Sequence, residues 1–497
     1  MNGNNSTTAK AERLPDKKAL AVQWKGIDWH KVEYEVNRLQ TRIAKAVKEG
    51  KWNKVKRLQY LITHSYYAKL LAVHKVTTNK GKKTPGIDKV VWHADSDKMK
   101  AAISLSDKGY KAKPLRRVYI EKKNKKAKRP LGIPSMYDRA MQALYTTALQ
   151  PIAETMADRS SFGFRKYRSC QDACEQIFNC VSRKYSAQWI LEGDIKGCFD
   201  HISHQWLIDN IPMDKSVLKQ FLKAGYIFQD RLFPTDEGTP QGGIISPILA
   251  NMTLDGIQGV LTEKYDLSPT GCYSRTIHSK HKVNFIRYAD DFIVTASTKE
   301  IAEEVKILIK GFLSERGLEL SDEKTLITNI NEGFDLLGWT FRKFKNKLII
   351  KPSAKSVRSL TDTLSDLIKR HGQSMTQEVL IYRLNQILTG WGNYHKYVCS
   401  KEVFQKIDHQ VHILLWKWGC HRHHNKGRKW IKAKYWHSEG HRNWVFSTGN
   451  NQLKKLGYIP IKRYPNLNLT KNPYLDREYF LKRQQLKGKK FQLEQLL

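Results

Sequence analysis

At 497 residues, 40% of them hydrophobic, the chain is long enough to fold as several domains, and a formal net charge of +40 points to a polyanionic partner. No apolar run approaches the ~20 residues of a membrane span, and the polar start MNGNNSTTAK is no secretory signal, so no membrane partner and a cytoplasmic location are expected. Seven scattered cysteines, an odd number, fit reduced side chains rather than a disulfide framework.

In chain order, residues 1–22 are polar and are expected to form a disordered tail. Two helical stretches follow. Val36, Leu39, Ile43 and Val47 fall on one face up to a stop at Gly50, and Val55, Leu58, Leu61 and Ile62 make a second stripe. Their polar faces are crowded with Arg38, Arg42, Lys45, Lys48, Lys54, Lys56 and Arg57, which suits either a solvated face or a polyanion. Thr84–Asp88 (TPGID) marks a turn. The basic run Lys122–Arg129 lies between two strand-like segments and predicts a hairpin. Ser160–Arg168 (SSFGFRKYR) holds Arg165 and Arg168, for which nucleic-acid contact and structural ion pairing are both compatible. Cys170 and Cys174 lie one helical turn apart, with Cys180 nearby.

The chemistry is concentrated in three segments further on. Trp189–Asp200 (WILEGDIKGCFD) begins as an apolar strand that ends in Asp194, with the bulky ring of Phe199 five residues later. Gly238–Pro247 (GTPQGGIISP) combines glycines that let backbone approach a ligand with a Ser246-Pro247 helix start. In Val283–Ala296, two apolar runs flank Asp290 and Asp291, which predicts a β-hairpin with paired acids at its tip. Apolar strands have no structural reason to display two carboxylates, whereas polynucleotide polymerases need them to hold a pair of divalent ions. Ile301, Val305, Leu308, Ile309, Phe312 and Leu313 then form one helical stripe that stops at Gly317.

Beyond Pro352 the pattern is helical, with three stripes: Val357, Leu360, Leu364, Leu367 and Ile368; Leu380, Leu384, Ile387, Leu388 and Trp391; Phe404, Ile407, Val411, Leu414, Leu415 and Trp418. His421–Trp436 (HRHHNKGRKWIKAKYW) interleaves cations with aromatic rings, as phosphate contact plus stacking requires. Cys420, His421, His423 and His424 lack the second spaced pair that a zinc site would need. Charge is segregated: residues 1–140 carry 34 Lys/Arg against 12 Asp/Glu, residues 341–497 carry 32 against 9, and residues 141–340 carry 21 against 26. Two basic wings around a mildly acidic centre suit a grip on a long polyanion on both sides of a metal site, and such binding should weaken steeply with salt.

These blocks resemble the reverse transcriptase/maturases encoded by group II introns, particularly the chloroplast-like bacterial lineage. The matching segments run in the family's order: Arg116–Pro134, Ser160–Arg168, Leu191–Asp200, Gly238–Asn251, Arg287–Asp291, Leu320–Lys324 (LSDEK), Leu336–Phe341 (LLGWTF) and Trp391–Tyr397 (WGNYHKY), continuing to Tyr479. The resemblance implies an α+β right-hand polymerase followed by a helical thumb. Its expected parts are an N-terminal helical RNA-binding extension (23–85), fingers (86–185), palm (186–342), thumb/maturase region (343–420) and a basic nucleic-acid-binding region (421–497). The palm is expected as a small antiparallel sheet with helices on one face.

The resemblance further implies metal ligation at Asp194, Ile195, Asp290 and Asp291, with Asp194, Asp290 and Asp291 catalytic and two Mg²⁺ ions as cofactors for dNTP substrates. Lys122 and Arg129 would lie on the triphosphate. Phe199 would be the steric gate against ribonucleotides, Gln241 would line the nucleotide pocket, and Lys324 would sit near the leaving pyrophosphate as a candidate general acid. Arg38, Arg42, Lys45, Lys56, Arg165, Arg168, Arg422, Lys426, Arg428, Lys429, Lys432 and Lys434 are the expected nucleic-acid contacts. Expected partners are a group II intron RNA, a DNA target and a template–primer duplex; no oligomeric state follows. Asn472–Arg483 (NPYLDREYFLKR) resembles the connector that precedes a His-Asn-His endonuclease in many relatives, and no such domain is expected here. The alternatives are a splicing-only maturase and a reverse transcriptase used in repair or defence without an intron.

Overall fold

The computed structural model describes residues 16–121 and 128–488. Five helices open the fold: α1 (Lys17–Lys25), α2 (Trp29–Lys48), α3 (Trp52–His64), α4 (Tyr66–Thr78) and α5 (Asp95–Ser104). Residues 17–22, expected in a disordered tail, instead form most of α1, because Leu20 and Trp24 share a face that buries against α5. In α2 and α3, Val36, Ile43, Val55, Leu58 and Ile62 are buried, while Leu61 of the expected stripe points to solvent. These helices wrap α6 (Met136–Met156), which is buried along nearly its whole circumference and so forms the axis of the N-terminal half.

Strands β1 (Leu115–Glu121) and β2 (Lys128–Ile133) form the expected hairpin around residues 122–127, which lie outside the described residues. Next come α7 (Cys170–Val181), β3 (Trp189–Asp194), α8 (Cys198–His201), α9 (His204–Asn210) and α10 (Lys215–Leu222). The short hairpin of β4 (Tyr226–Phe228) and β5 (Arg231–Phe233) was not anticipated: β4 pairs in parallel with β1, so a segment between palm blocks completes the fingers sheet, order β2-β1-β4-β5.

Helices α11 (Ser246–Leu254), α12 (Ile257–Tyr265) and α13 (Arg275–His281) lead to β6 (Asn284–Tyr288), β7 (Asp291–Ala296), α14 (Lys299–Ser314) and β8 (Leu326–Asn329). The central sheet has the order β6-β7-β3-β8 with antiparallel neighbours. It is covered on both faces, not on one. Leu191, Phe292 and Val294 join the core that contains Val305, Ile309 and Leu313 of α14, while Ile190, Ile286 and Ile293 pack with Ala173, Ile177 and Val181 of α7. That explains why its strands read as continuous apolar runs rather than alternating ones.

A second small sheet, β9 (Phe334–Leu336), β10 (Trp339–Phe344) and β11 (Lys347–Pro352), connects to α15 (Ala354–Asp366), a π-helical turn at Leu367–His371, α16 (Gln377–His395) and α17 (Lys401–Arg422). The three predicted stripes converge there in a separate core. Helix α18 (Arg428–Tyr435) and the strands β12 (Trp436–Glu439), β13 (Arg442–Thr448) and β14 (Asn451–Gln452) dock onto that core through Ile431, Tyr435, Trp436 and Phe446. Residues 460–488, ending in α19 (Arg477–Leu486), return to the palm and the N-terminal helices. The Tyr464 hydroxyl lies 2.8 Å from Ser169 Oγ, Arg483 forms a buried ion pair with Asp172, and Thr41 Oγ1 donates to the Tyr474 carbonyl at 3.2 Å. The expected basic C-terminal region is thus in good part a structural strap. No helix among the described residues is long and apolar enough to cross a membrane, and all seven cysteines are free thiols.

Candidate active site

Strand pairing brings the acids together. Asp194, the last residue of β3, sits opposite Asp291, the first of β7, and Asp290 occupies the two-residue turn between β6 and β7 closed by the Tyr288–Asp291 pair. Gly193 makes this pairing possible, since a Cβ there would fall 2.1 Å from the ring of Phe292 across the ladder. The turn itself is strained: Ala289, not a glycine, holds φ +58°, a conformation that costs of order 1–3 kcal/mol unless its surroundings impose it.

The surroundings do impose it. Phe162 N–H donates to the Arg287 carbonyl at 2.8 Å and Arg287 N–H to the Ser160 carbonyl at 3.0 Å, so the SSFGFR segment runs along β6. Gly163 then presses on the turn, where a Cβ would come within 2.3 Å of the Ala289 nitrogen. From beneath, the fully buried Arg287 donates to the Ala289 carbonyl (3.2 Å), Asn251 Oδ1 (3.0 Å) and Asp255 Oδ1 (2.6 Å). Burial, opposed by the Arg287 charge, pushes Asp255 up to about 6. Sequence reasoning missed this support. Its signal was the arginine directly before the YADD tetrad and an acid in the helix-forming block that follows the glycine-rich loop.

The three carboxylates lie beside Lys324, and the charge of Lys355 also reaches Asp291. Lys324 Nζ donates to Asp194 Oδ2 at 2.6 Å, and this bond, with the charges of Asp194, Asp291 and Asp290, holds the ammonium above its usual range. Burial and the like charges of Asp290 and Asp194 push Asp291 up to about 6. Asp194 stands across the ladder from it and Asp290 precedes it in the turn, so the like-charge repulsion acts at close range. With Asp194 turned to Lys324, no group of three or more His, Cys, Asp or Glu among the described residues stands in metal-ligating arrangement. The donor set nonetheless suits a hard divalent cation: carboxylate oxygens from three positions, carrying more negative charge than one lysine neutralises. Ile195 is buried, and its backbone bridges to Leu320.

Two of the nucleotide-binding candidates, Phe199 and Gln241, line a cavity of about 230 Å³ where the fingers sheet meets the glycine-rich loop, together with Gly238 and Arg117; Arg129 and Lys324 are not among its lining residues. Thr239 N–H donates to the Phe199 carbonyl and Gly132 N–H to the Gln241 carbonyl, fixing the loop between α8 and β2. The Gln241 amide donates to both Asp200 oxygens at 3.2 Å, so its side chain is held by an acid that sequence reasoning did not single out. The Phe199 ring meets Phe164 edge-on at 6.3 Å. Arg129 is exposed on β2, and Lys122 lies outside the described residues.

The expected nucleic-acid contacts divide. Arg38, Arg42, Lys45 and Lys56 are exposed on α2 and α3, as are Lys426, Arg428, Lys429, Lys432 and Lys434 on and before α18. Lys426 and Lys434 lie over Trp430, and Lys432 lies over Trp444. Arg165 and Arg168 are corrected: their side chains are 6% and 2% exposed, Arg165 pairs with Glu154 at 2.5 Å, and both donate to the Ser161 carbonyl. They stabilise the segment that clamps the turn and are closed to a polyanion. Arg422 likewise donates to the Gln373 and Met375 carbonyls (3.3 and 2.6 Å) at a bend of the chain.

Comparison with known proteins agrees with this architecture. Residues 120–341 match the family model for reverse transcriptase (RNA-dependent DNA polymerase), residues 24–105 that for the N-terminal domain of reverse transcriptase, and residues 357–436 that for the group II intron maturase-specific domain. Group II intron-encoded protein LtrA of Lactococcus lactis subsp. cremoris is 33% identical over 368 residues, covering 62% of this chain and 60% of LtrA. Protein YkfC of Escherichia coli (strain K12) is 31% identical over 341 residues, covering 61% of this chain and 87% of YkfC. A protein of the cob intron of Schizosaccharomyces pombe is 28% identical over 412 residues, 67% of this chain and 50% of its own length. The chain therefore spans 60% of the length of LtrA. With an N-terminal extension, a polymerase-like palm and a maturase-specific thumb in that order, the chain belongs to the family of group II intron-encoded reverse transcriptase/maturases.

Proposed function

We propose that the chain is an RNA-directed DNA polymerase and maturase that binds a group II intron RNA, assists its splicing, and copies it into cDNA by target-primed reverse transcription. The observation that carries this reading is the register of β3 against β7, which sets Asp194 beside Asp291 and next to the Asp290 turn. A protein that only folds RNA has no use for three adjacent carboxylates clamped at a strained turn, so the splicing-only alternative is the weaker one. Divalent ions held by Asp194, Asp290 and Asp291, two Mg²⁺ in this proposal, would activate a primer 3′-hydroxyl and neutralise the triphosphate. Arg129 and Lys122 bind the phosphates and Phe199 stands against the sugar. Lys324, held on Asp194 at 2.6 Å, would serve as proton donor to the leaving group.

Primer extension on an RNA template tests the assignment. The wild-type protein extends with dNTPs, and Phe199→Val incorporates ribonucleotides at least about tenfold better, a difference of roughly 1.4 kcal/mol; no templated extension by the wild type would overturn the proposal. A second measurement needs no turnover. Mg²⁺ raises the thermal midpoint of the wild-type protein, because an ion bound only by the folded state stabilises it. Asp290→Asn loses most of that rise, and an unaltered rise would remove Asp290 from the ligand set.

A further inference from the structure

A cavity of about 530 Å³ lies far along the chain from the carboxylates, between the C-terminal end of α16 and residues 452–462. Its volume is in the range of small-ligand pockets, roughly 300–1,000 Å³. Leu388 and Leu456, both buried, and Ile459 give it an apolar floor. Around that floor stand Lys396, Arg442, Lys454, Lys455 and Lys462, with no carboxylate among the lining residues. Lys396, Arg442 and Lys454 donate to the neutral groups of Asn393, Gln452 and Thr389 at 3.0, 2.9 and 3.4 Å, so their charges are hydrogen-bonded but not neutralised. Tyr458 lines the same cavity, is 58% exposed, and has Arg442 and Lys455 at 5.5 and 5.9 Å from its ring.

The pocket is preformed. Asp408 accepts from Leu456 N–H and Gly457 N–H at 2.8 and 2.7 Å, Asn385 Oδ1 accepts from Lys454 N–H at 2.8 Å, and Lys462 N–H donates to the Lys396 carbonyl at 3.1 Å. Ile459 reaches into space that only Gly392 leaves open, since a Cβ there would meet it at 2.5 Å. A rigid rim of this kind lowers the ordering cost of binding. Lys455 also lines a second cavity, of about 320 Å³, with Asp408, His409, His412 and Trp444; both oxygens of that carboxylate are taken up by the Leu456 and Gly457 N–H groups. Trp444 is 41% exposed and held at φ +61°, with its ring 5.8 Å from Trp416 and Lys432 Nζ 4.7 Å above it. A large exposed ring in a strained backbone conformation is the kind of feature retained for contact with a ligand.

An apolar floor, an exposed aromatic and a rim of five cations match one ligand chemistry: a base turned out of its strand, with its flanking phosphates on the rim. We infer that this cavity binds a single-stranded polynucleotide, one base entering over Leu456 beside Tyr458, the backbone passing Lys454 and Lys455, and a neighbouring base stacking on Trp444. A stacked duplex could use the cations but not the floor. The inference rests on the proposed function in so far as that supplies a nucleic-acid partner; the pocket shares no residue with the catalytic carboxylates.

The test uses the full-length protein and short oligonucleotides of one sequence, as single-stranded RNA, single-stranded DNA and RNA duplex, each carrying 2-aminopurine. Single strands bind and change 2-aminopurine emission, whereas the duplex does not change it. Lys454→Glu/Lys455→Glu weakens single-strand binding at least about tenfold and flattens the salt dependence, with an unchanged thermal midpoint. Tyr458→Leu removes most of the emission change at a smaller cost in affinity. An RNA preference assigns the strand to the intron, and a DNA preference assigns it to the target. Equal binding of duplex and single strand without an emission change, competition by a polyglutamate peptide as strong as by RNA, or unaltered affinity of the Lys454→Glu/Lys455→Glu variant would each overturn the inference. If the wild type extends primers while these variants bind normally, only the pocket fails; if it neither extends primers nor binds RNA, the proposed function fails first.

Discussion

Asp290→Ala abolishes cDNA synthesis, a fall of at least about a thousandfold or roughly 4 kcal/mol of transition-state stabilisation, while affinity for RNA stays near that of the wild type. The size of the effect follows from position. Asp290 lies on the turn that Gly163 and Arg287 force into shape beside Asp194 and Asp291. Asp194 and Asp291 are already committed to the same proposed ligand set, and the close neighbour Lys324 is a cation, so no spare carboxylate there takes over from Asp290. The cations expected to grip RNA are on α2, α3 and α18, outside this turn, so binding is separable from chemistry. Full-rate polymerisation by the variant would remove the catalytic assignment, and a parallel splicing assay shows whether the maturase role survives it.

Arg287→Met is expected to destabilise the fold by about 3–5 kcal/mol, the usual consequence of stripping one partner from a buried ion pair. Its guanidinium is fully buried and bridges Asp255, Asn251 and the Ala289 carbonyl, so removal leaves the Asp255 carboxylate without its counter-charge. Asp158, itself pushed up by burial, lies next to it.

The effect is pH-dependent, with a definite sign. Asp255 is held at about 6, above its ordinary 3.8, so the folded chain binds that proton more tightly than the unfolded chain. Its contribution is most favourable in acid and is lost as pH rises from about 4 through 6. Without Arg287 the charged form is costlier still. The deficit of the variant relative to wild type should therefore be larger at about pH 8 than at about pH 5, read from urea midpoints. Equal deficits at both would show that Asp255 is not the group left exposed to the loss. Arg287→Met/Asp255→Leu, which removes both charges, should recover much of the stability without restoring cDNA synthesis, since the Ala289 turn loses its clamp.

Much of the active-site arrangement was readable along the chain because its parts obey local rules. An apolar run that ends in an acid, two apolar runs joined by paired acids, and a glycine-rich loop before a Ser-Pro helix start each announce themselves within about a dozen residues. The same holds for the three thumb stripes at helical spacing, which converge in one core. Periodicity, turn chemistry and charge segregation are sufficient for an α+β chain with a helical C-terminal half and a carboxylate centre.

Side-chain destinations depended on partners outside the local motif, from 11 to 311 residues away, and these only the tertiary structure decided. Arg165 and Arg42 look alike in sequence, yet one is sealed against Glu154 and the other lies open to solvent. The reason is that a buried guanidinium must find a carboxylate, and nothing local to SSFGFRKYR says that Glu154 will be there. The palm sheet acquired a second helical cover because α7 arrives from outside the strand segments. The β4–β5 hairpin left its sequence neighbours to complete the fingers sheet. The C-terminal strap was set by Asp172, which draws Arg483 from 311 residues further along. Composition and spacing thus determined which chemistry the chain carries; burial and long-range charge pairing determined which of its cations remain free to perform it.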